Sequence, residues 1–234
     1  MTPSPPDRRP LRGLFVTGTD TGVGKTEVSC ALVAEARAGG LDLAAMKPAE
    51  SGVGPGAPSD SERLCAAAGG LDEPALVCPY RFAAPLAPAV AARLAGVEVR
   101  LEVVLAAAGA LAARHQALLV EGAGGLLVPL TERETYADLA VALGLPVLVV
   151  ARAGLGTVNH TALTVEALRA RGLAVAGVIL NRVAPGDDPS VPFNAAEITR
   201  LTGVAVLASL PWCPDIAARE ANLRSALRGK VQFS

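Results

Sequence analysis

The sequence predicts a doubly wound α/β fold, a mainly parallel sheet flanked by helices, from three observations. A glycine-rich loop near the start joins an apolar run to a helix-forming run, and short apolar runs alternate with helical ones from there on. Composition is 51% hydrophobic but only 3% aromatic, rich in Ala, Leu, Val and Gly. Strands of a buried parallel sheet read as short continuous apolar runs, and each needs a crossover helix, right-handed as a rule, before the next. The chain of 234 residues is long enough for one such domain, expected over residues 13–234.

The formal charge of -1 argues against a general nucleic-acid or membrane-surface binder. Residues 1–12 hold Pro3, Pro5, Pro6 and Pro10 among Asp7, Arg8 and Arg9, so they lack the apolar run of a signal peptide and read as a disordered tail. The best uncharged apolar run, 139–151, is broken by Pro146 and bounded by Asp138 and Arg152, too short to span a membrane. Cys30, Cys65, Cys78 and Cys213 form no C-x-x-C pair and read as small buried thiols of a reducing cytoplasm.

Leu14-Phe15-Val16 is the first strand and 27–38 the first helix, and the stretch between them organises the chain. From Gly18 through Thr19, Asp20, Thr21, Gly22, Val23 and Gly24 to Lys25 and Thr26 it spells a phosphate loop, one residue longer than the minimal G-x-x-x-x-G-K-[ST] pattern. Few side chains let successive backbone N–H groups approach phosphate oxygens, and the helix adds its positive end. Lys25 then supplies a cation for the outer phosphates and the Thr26 hydroxyl a ligand for Mg²⁺, which makes the fold P-loop NTPase-like.

Gly39-Gly40 ends the first helix, and residues 41–46 form a strand whose far end carries Lys47-Pro48. Lys47 is either a solvated strand cap or a cation turned to the crevice at the strands' carboxyl ends. Glu50, Ser51 and Gly52 read as a short polar turn within reach of a substrate. Residues 54–59 are a Pro- and Gly-rich loop, after which Ser59 and Asp60 cap a helix to about Ala68; Asp60 is equally a carboxylate facing a metal. Residues 79–88 are irregular, and 89–95 and 102–114 helical.

Residues 117–120 are a wholly apolar strand, with Glu121-Gly122-Ala123-Gly124-Gly125 as the turn after it. An acid there is either a second carboxylate for Mg²⁺ or a plain turn residue, and the glycines admit a ligand to the backbone. Helices follow at 136–143 and 157–171 around a strand at 146–151. Between the latter two lies Arg152 to His160, a glycine-bearing loop entering a helix, which suits a carboxylate ligand; His160 reads as a satisfied helix histidine. A strand at 174–180 ends in Asn181, whose amide both donates and accepts and so matches a nucleobase edge. A loop at 187–192, a helix at 194–201 and a strand at 204–208 lead to Leu210-Pro211-Trp212.

The phosphate loop with Val16-Thr17 before it, Lys47-Pro48, Ser51-Gly52, Ser59-Asp60, Val120 to Gly125, Leu155 to His160 and Asn181-Arg182-Val183 occur in an order that resembles the dethiobiotin synthetase family over residues 13–212. The resemblance implies an ATP-dependent ligase: CO₂ joins 7,8-diaminononanoate as a carbamate, ATP phosphorylates it, and the second amine closes the ureido ring with loss of phosphate. It implies that Lys25 and Lys47 hold the γ-phosphate and carbamate beside Thr21, with Thr26, Asp60 and Glu121 around Mg²⁺. Asp20 to Thr26 with Asn181 and Pro211 would bind ATP, and Ser51 with Gly122 to Gly125 the diamine. A homodimer is implied in which Leu155, Gly156 and Asn159 of one subunit hold the substrate carboxylate of the other. Rival expectations are a ParA/MinD-like ATPase switch, which usually carries an early loop lysine where Thr19 stands here, or a related synthetase acting on another acid.

Overall fold

The computed structural model describes residues 11–233, so the tail expected over 1–12 lies, up to Pro10, outside the described residues. Eight strands occur among them: β1 (Gly13–Gly18), β2 (Leu43–Met46), β3 (Ala49–Ser51), β4 (Tyr80–Phe82), β5 (Ala117–Gly125), β6 (Val147–Arg152), β7 (Val175–Asn181) and β8 (Val206–Leu210). Six form one sheet in the order β2-β5-β1-β6-β7-β8, and every neighbouring pair in it is parallel. The helices are α1 (Lys25–Ala38), α2 (Asp60–Ala67), α3 (Pro74–Val77), α4 (Pro88–Leu94), α5 (Leu101–Arg114), α6 (Tyr136–Leu143), α7 (Thr157–Arg169), α8 (Val191–Thr202) and α9 (Ile216–Leu227).

Alternate residues of each strand enter opposite cores. Leu14, Val16, Leu119, Leu148 and Val150 pack with Val28 and Leu32 of α1, Leu64 of α2 and Leu223 of α9. Phe15, Leu118, Val120, Val147 and Val149 pack with Val104 and Leu111 of α5, Leu139 of α6, Val165 of α7 and Ile198 of α8. Side chains fully buried in this way contribute about 1.5–3 kcal/mol each, and they hold the central strands from both faces. No described helix is long and apolar enough to cross a membrane.

The structure departs from expectation where short or non-local pairing decides. β3 and β4 form a small parallel sheet of their own, although Glu50-Ser51 read as a turn and 79–88 as irregular. β5 continues through Gly125 instead of ending at Val120, because its glycine end pairs with the end of β1, Gly18 opposite Gly125. α8 begins within the expected loop, with Pro192 in its first turn, where a missing N–H costs nothing. Among the four free cysteines only Cys78 is buried; Cys30, Cys65 and Cys213 are half-buried.

His115, after α5, bridges two carboxylates: Nδ1 lies 2.9 Å from Asp42 and Nε2 3.1 Å from Asp72. Burial opposes a charge on the ring, but hydrogen bonds to both acids outweigh it and raise the pKa above 6.5. The stabilisation is then full below 6.5 and lost as pH rises through the higher folded value. His115→Gln is expected to remove that pH-dependent part of stability, roughly 1 kcal/mol or less at a partly solvated site. Denaturant titrations of both proteins at pH values on either side of neutrality check this.

Candidate active site

All six strands of the main sheet point the same way, so their carboxyl ends share one rim, the usual place for ligands in open parallel sheets. The chain leaves β1 at Gly18 and reaches α1 through Gly22 and Gly24, both in left-handed backbone at φ 72 and 86 degrees. A Cβ on Gly24 would sit 2.1 Å from Nδ2 of Asn181. That amide donates to the Val23 carbonyl at 3.0 Å and ties the end of β7 to the loop. On the β6 side, Thr19 N–H donates to the Val150 carbonyl at 3.0 Å, and Arg152 pairs with Asp20 at 2.5 Å. The N-cap of α1 is Gly24, which gives the helix no side-chain cap, so its first N–H groups face the loop without such a partner.

Lys25 is buried, and its ammonium donates to the Asp20 carbonyl at 3.3 Å. Burial, and then the charge of Lys47, lower its pKa to about 8. Lys47 follows β2 and is 3% exposed, which rules out a solvated strand cap. Its Nζ donates to Glu121 Oε1 at 2.5 Å, to Asp60 Oδ2 at 3.1 Å and to the Gly122 carbonyl at 3.4 Å. Burial alone would lower its pKa, but the attraction of Glu121 and Asp60 outweighs it and raises the value, so the side chain stays charged.

Glu121 is fully buried inside β5, not on a turn, and accepts from the Thr26 hydroxyl at 2.8 Å. Its Oε2 has no hydrogen-bond partner among the described residues. Asp60 opens α2, whose capping box is Ser59 with Glu62, so Ser59 caps and Asp60 is left free to face the cleft. Beneath it, Glu50 accepts from Asp60 N–H at 2.5 Å and from the Ser61 hydroxyl at 2.6 Å, fixing the first turn of α2. Asp60 and Glu121 thus converge on the Lys47 ammonium and Thr26 on Glu121, three hard oxygen donors suited to Mg²⁺, and the unpartnered Glu121 oxygen is a position such an ion would satisfy.

A cleft of about 390 Å³ joins these groups. Thr21, Gly22, Gly24, Lys25, Thr26, Lys47, Glu50, Ser51, Asp60, Ala123, Gly124 and Val183, all noted in the sequence, line it, together with Glu27, Arg63 and Arg219, which the sequence alone did not single out. Asn181 and Pro211 meet in a small adjoining cleft with Arg219. Other expected residues stand aside from the lining. Gly122 is buried, and Gly125 pairs with Gly18 at the end of β5. Asp20 is turned to Arg152, and the Val23 side chain lies in the core. Leu155, Gly156 and Asn159 do not line the cleft of their own chain; Leu155 is 83% exposed and its N–H donates to Asp188 at 2.8 Å.

A family model described as an AAA domain matches residues 12–220. The chain is 70% identical over 223 residues to the ATP-dependent dethiobiotin synthetase BioD of Anaeromyxobacter dehalogenans (strain 2CP-1 / ATCC BAA-258), covering 95% of this chain and 100% of that one. It is 41% identical over 207 residues to the enzyme of the same name from Bacillus subtilis subsp. natto, covering 88% and 90%. Among solved structures, a ParA family ATPase from Chlorobium tepidum TLS superposes with a TM-score of 0.55 at 13% identity, covering 94% of this chain and 92% of that one, a likeness of fold alone. At 70% and 41% identity over nearly the whole of both relatives, the chain belongs to the ATP-dependent dethiobiotin synthetase family.

Proposed function

We propose that the protein uses ATP to join CO₂ to 7,8-diaminononanoate and close the ureido ring of dethiobiotin, releasing ADP and phosphate, a carbon–nitrogen ligation of biotin biosynthesis. The observation that carries this is Lys47, buried against Glu121 and Asp60 beside the phosphate loop, in a chain 70% identical to a dethiobiotin synthetase. A ParA/MinD-like switch would carry its second cation early in the phosphate loop, where Thr19 stands here, and not after β2 at Lys47.

In the reaction, one amine of the diamine attacks CO₂ and loses a proton to give the carbamate. A carbamate oxygen then takes the γ-phosphoryl group as ADP leaves. The second amine attacks the carbonyl carbon, and phosphate departs as the ring closes. Anionic carbamate and anionic triphosphate repel each other, so the protein's task is to bring them together and offset the charge of the transition state. Lys25, on the loop, takes the outer phosphates, and Lys47 lies between phosphoryl group and carbamate, with the Thr21 hydroxyl at the cleft wall. Thr26, Asp60 and Glu121 would hold Mg²⁺, which supplies further neutralisation of the β- and γ-phosphates. Ser51 and the backbone at Ala123 and Gly124, the part of the Gly122 to Gly125 stretch that lines the cleft, take the diamine end of the substrate, and Asn181 with Pro211 the adenine.

The acid end of the substrate falls to Leu155, Gly156 and Asn159 of a second copy in a homodimer. This assignment is supported by the exposure of Leu155 at the start of α7 and of Leu163 and Phe193 on α7 and α8. Free cysteines accord with a cytoplasmic site of action. Purified protein supplied with diamine, bicarbonate, ATP and Mg²⁺ is expected to release phosphate and form dethiobiotin only when all four are present. Phosphate release at the full rate without diamine would reject the assignment.

A further inference from the structure

We infer that Arg219, on the C-terminal helix α9, is a nucleotide-binding residue that contacts the ribose and α-phosphate region, with Glu27 as its counter-ion when no nucleotide is bound. The inference rests on the ATP site proposed above. Arg219 is the residue shared by both clefts: it lines the one holding Lys25 and Thr26 and the one holding Asn181 and Pro211. If the outer phosphates lie against Lys25 and the base against Asn181, the part of the nucleotide between them passes the Arg219 guanidinium.

Its present contacts leave it donors to spare. One Nη lies 2.5 Å from Glu27 Oε2, the side chains being 19% and 27% exposed. Arg219 Nε, by contrast, has no hydrogen-bond partner among the described residues. A buried N–H of a charged group without an acceptor is costly, and a ligand oxygen placed there removes the cost. Glu27 alone is explained as an acid in the first turn of α1, where the helix dipole favours it. An uncompensated carboxylate two residues from Lys25 would, however, repel a triphosphate. A guanidinium that neutralises Glu27 and still offers Nε to the ligand answers both demands, and its planar set of donors suits phosphate or ribose oxygens.

The rival account is that Arg219 only neutralises Glu27. Calorimetric binding of ATP and ADP to the full chain separates the two, using Arg219→Ala, Glu27→Gln and the double variant. Direct contact predicts that Arg219→Ala weakens both nucleotides about tenfold, and that nearly the same loss persists in the Glu27→Gln background. Disappearance of the loss in that background, or affinities within about twofold of the parent throughout, would overturn the inference. Should Arg219→Ala fail to fold, Arg219→Lys decides: it retains the charge beside Glu27 but lacks Nε, so several-fold weaker binding supports contact and unchanged binding refutes it. A parent protein that binds no ATP at all would instead reject the nucleotide site on which the inference stands.

Discussion

Lys47→Ala is expected to lower turnover about a thousandfold while shifting ATP affinity by less than about threefold. The asymmetry follows from where the ammonium sits. It follows β2 and is held by Glu121 of β5 and Asp60 of α2, whereas the phosphate loop has its own cation in Lys25. A charge needed most when the phosphoryl group is in transit stabilises the transition state more than the bound nucleotide. The same variant leaves Glu121 buried beside Thr26 without its counter-ion, so a stability loss of about 3–5 kcal/mol accompanies it. Steady-state kinetics, run below the variant's own melting temperature, with an independent nucleotide titration would separate these effects. An unchanged turnover number would remove Lys47 from the reaction.

Gly24→Ala is expected to weaken ATP binding by more than about thirtyfold and to cost about 2 kcal/mol of stability. The backbone there is left-handed, and the added carbon would lie 2.1 Å from the Asn181 amide. Relief requires Asn181 to release the Val23 carbonyl, which detaches the loop from β7. Gly40→Ala is the control: Gly40 shares a left-handed φ of 88 degrees, but a methyl group added there would meet no atom within 4 Å, so it reports backbone strain without collision. Nucleotide titration and thermal unfolding of both variants check the prediction, and near-normal ATP affinity in Gly24→Ala would show that the phosphates bind elsewhere.

What could be read from the chain alone is what is encoded locally. The phosphate loop is written in consecutive residues, and strands flanked by helices announce themselves by apolar runs and glycine breaks. Lys25 and Thr26 could therefore be placed where the loop enters the first helix, and Lys47 just after a strand, before any contact was known, whereas Glu121, read as the start of a turn, lies inside β5. Contacts between distant residues were hidden. Glu50 looked like part of a turn because nothing in its neighbourhood reveals that its carboxylate receives the N–H of Asp60. The β3–β4 pair is too short for periodicity to register, with three residues on each strand. α9 buries Leu223 and Leu227 near its end, while Arg219 on it reaches Glu27 near the other end of the chain. A pairing of that span has no signature in composition or spacing.

The sheet order carries a consequence for biosynthesis on the ribosome. β1 is made first, yet its neighbours are β5 and β6, and β6 supplies the carbonyl that receives Thr19 N–H. An emerging chain therefore synthesises its nucleotide loop long before the strands that give that loop its shape, and closing such a long connection is entropically slow. Nucleotide capture must await the synthesis of β6, and a product truncated before it would hold the loop residues without the strand that shapes them.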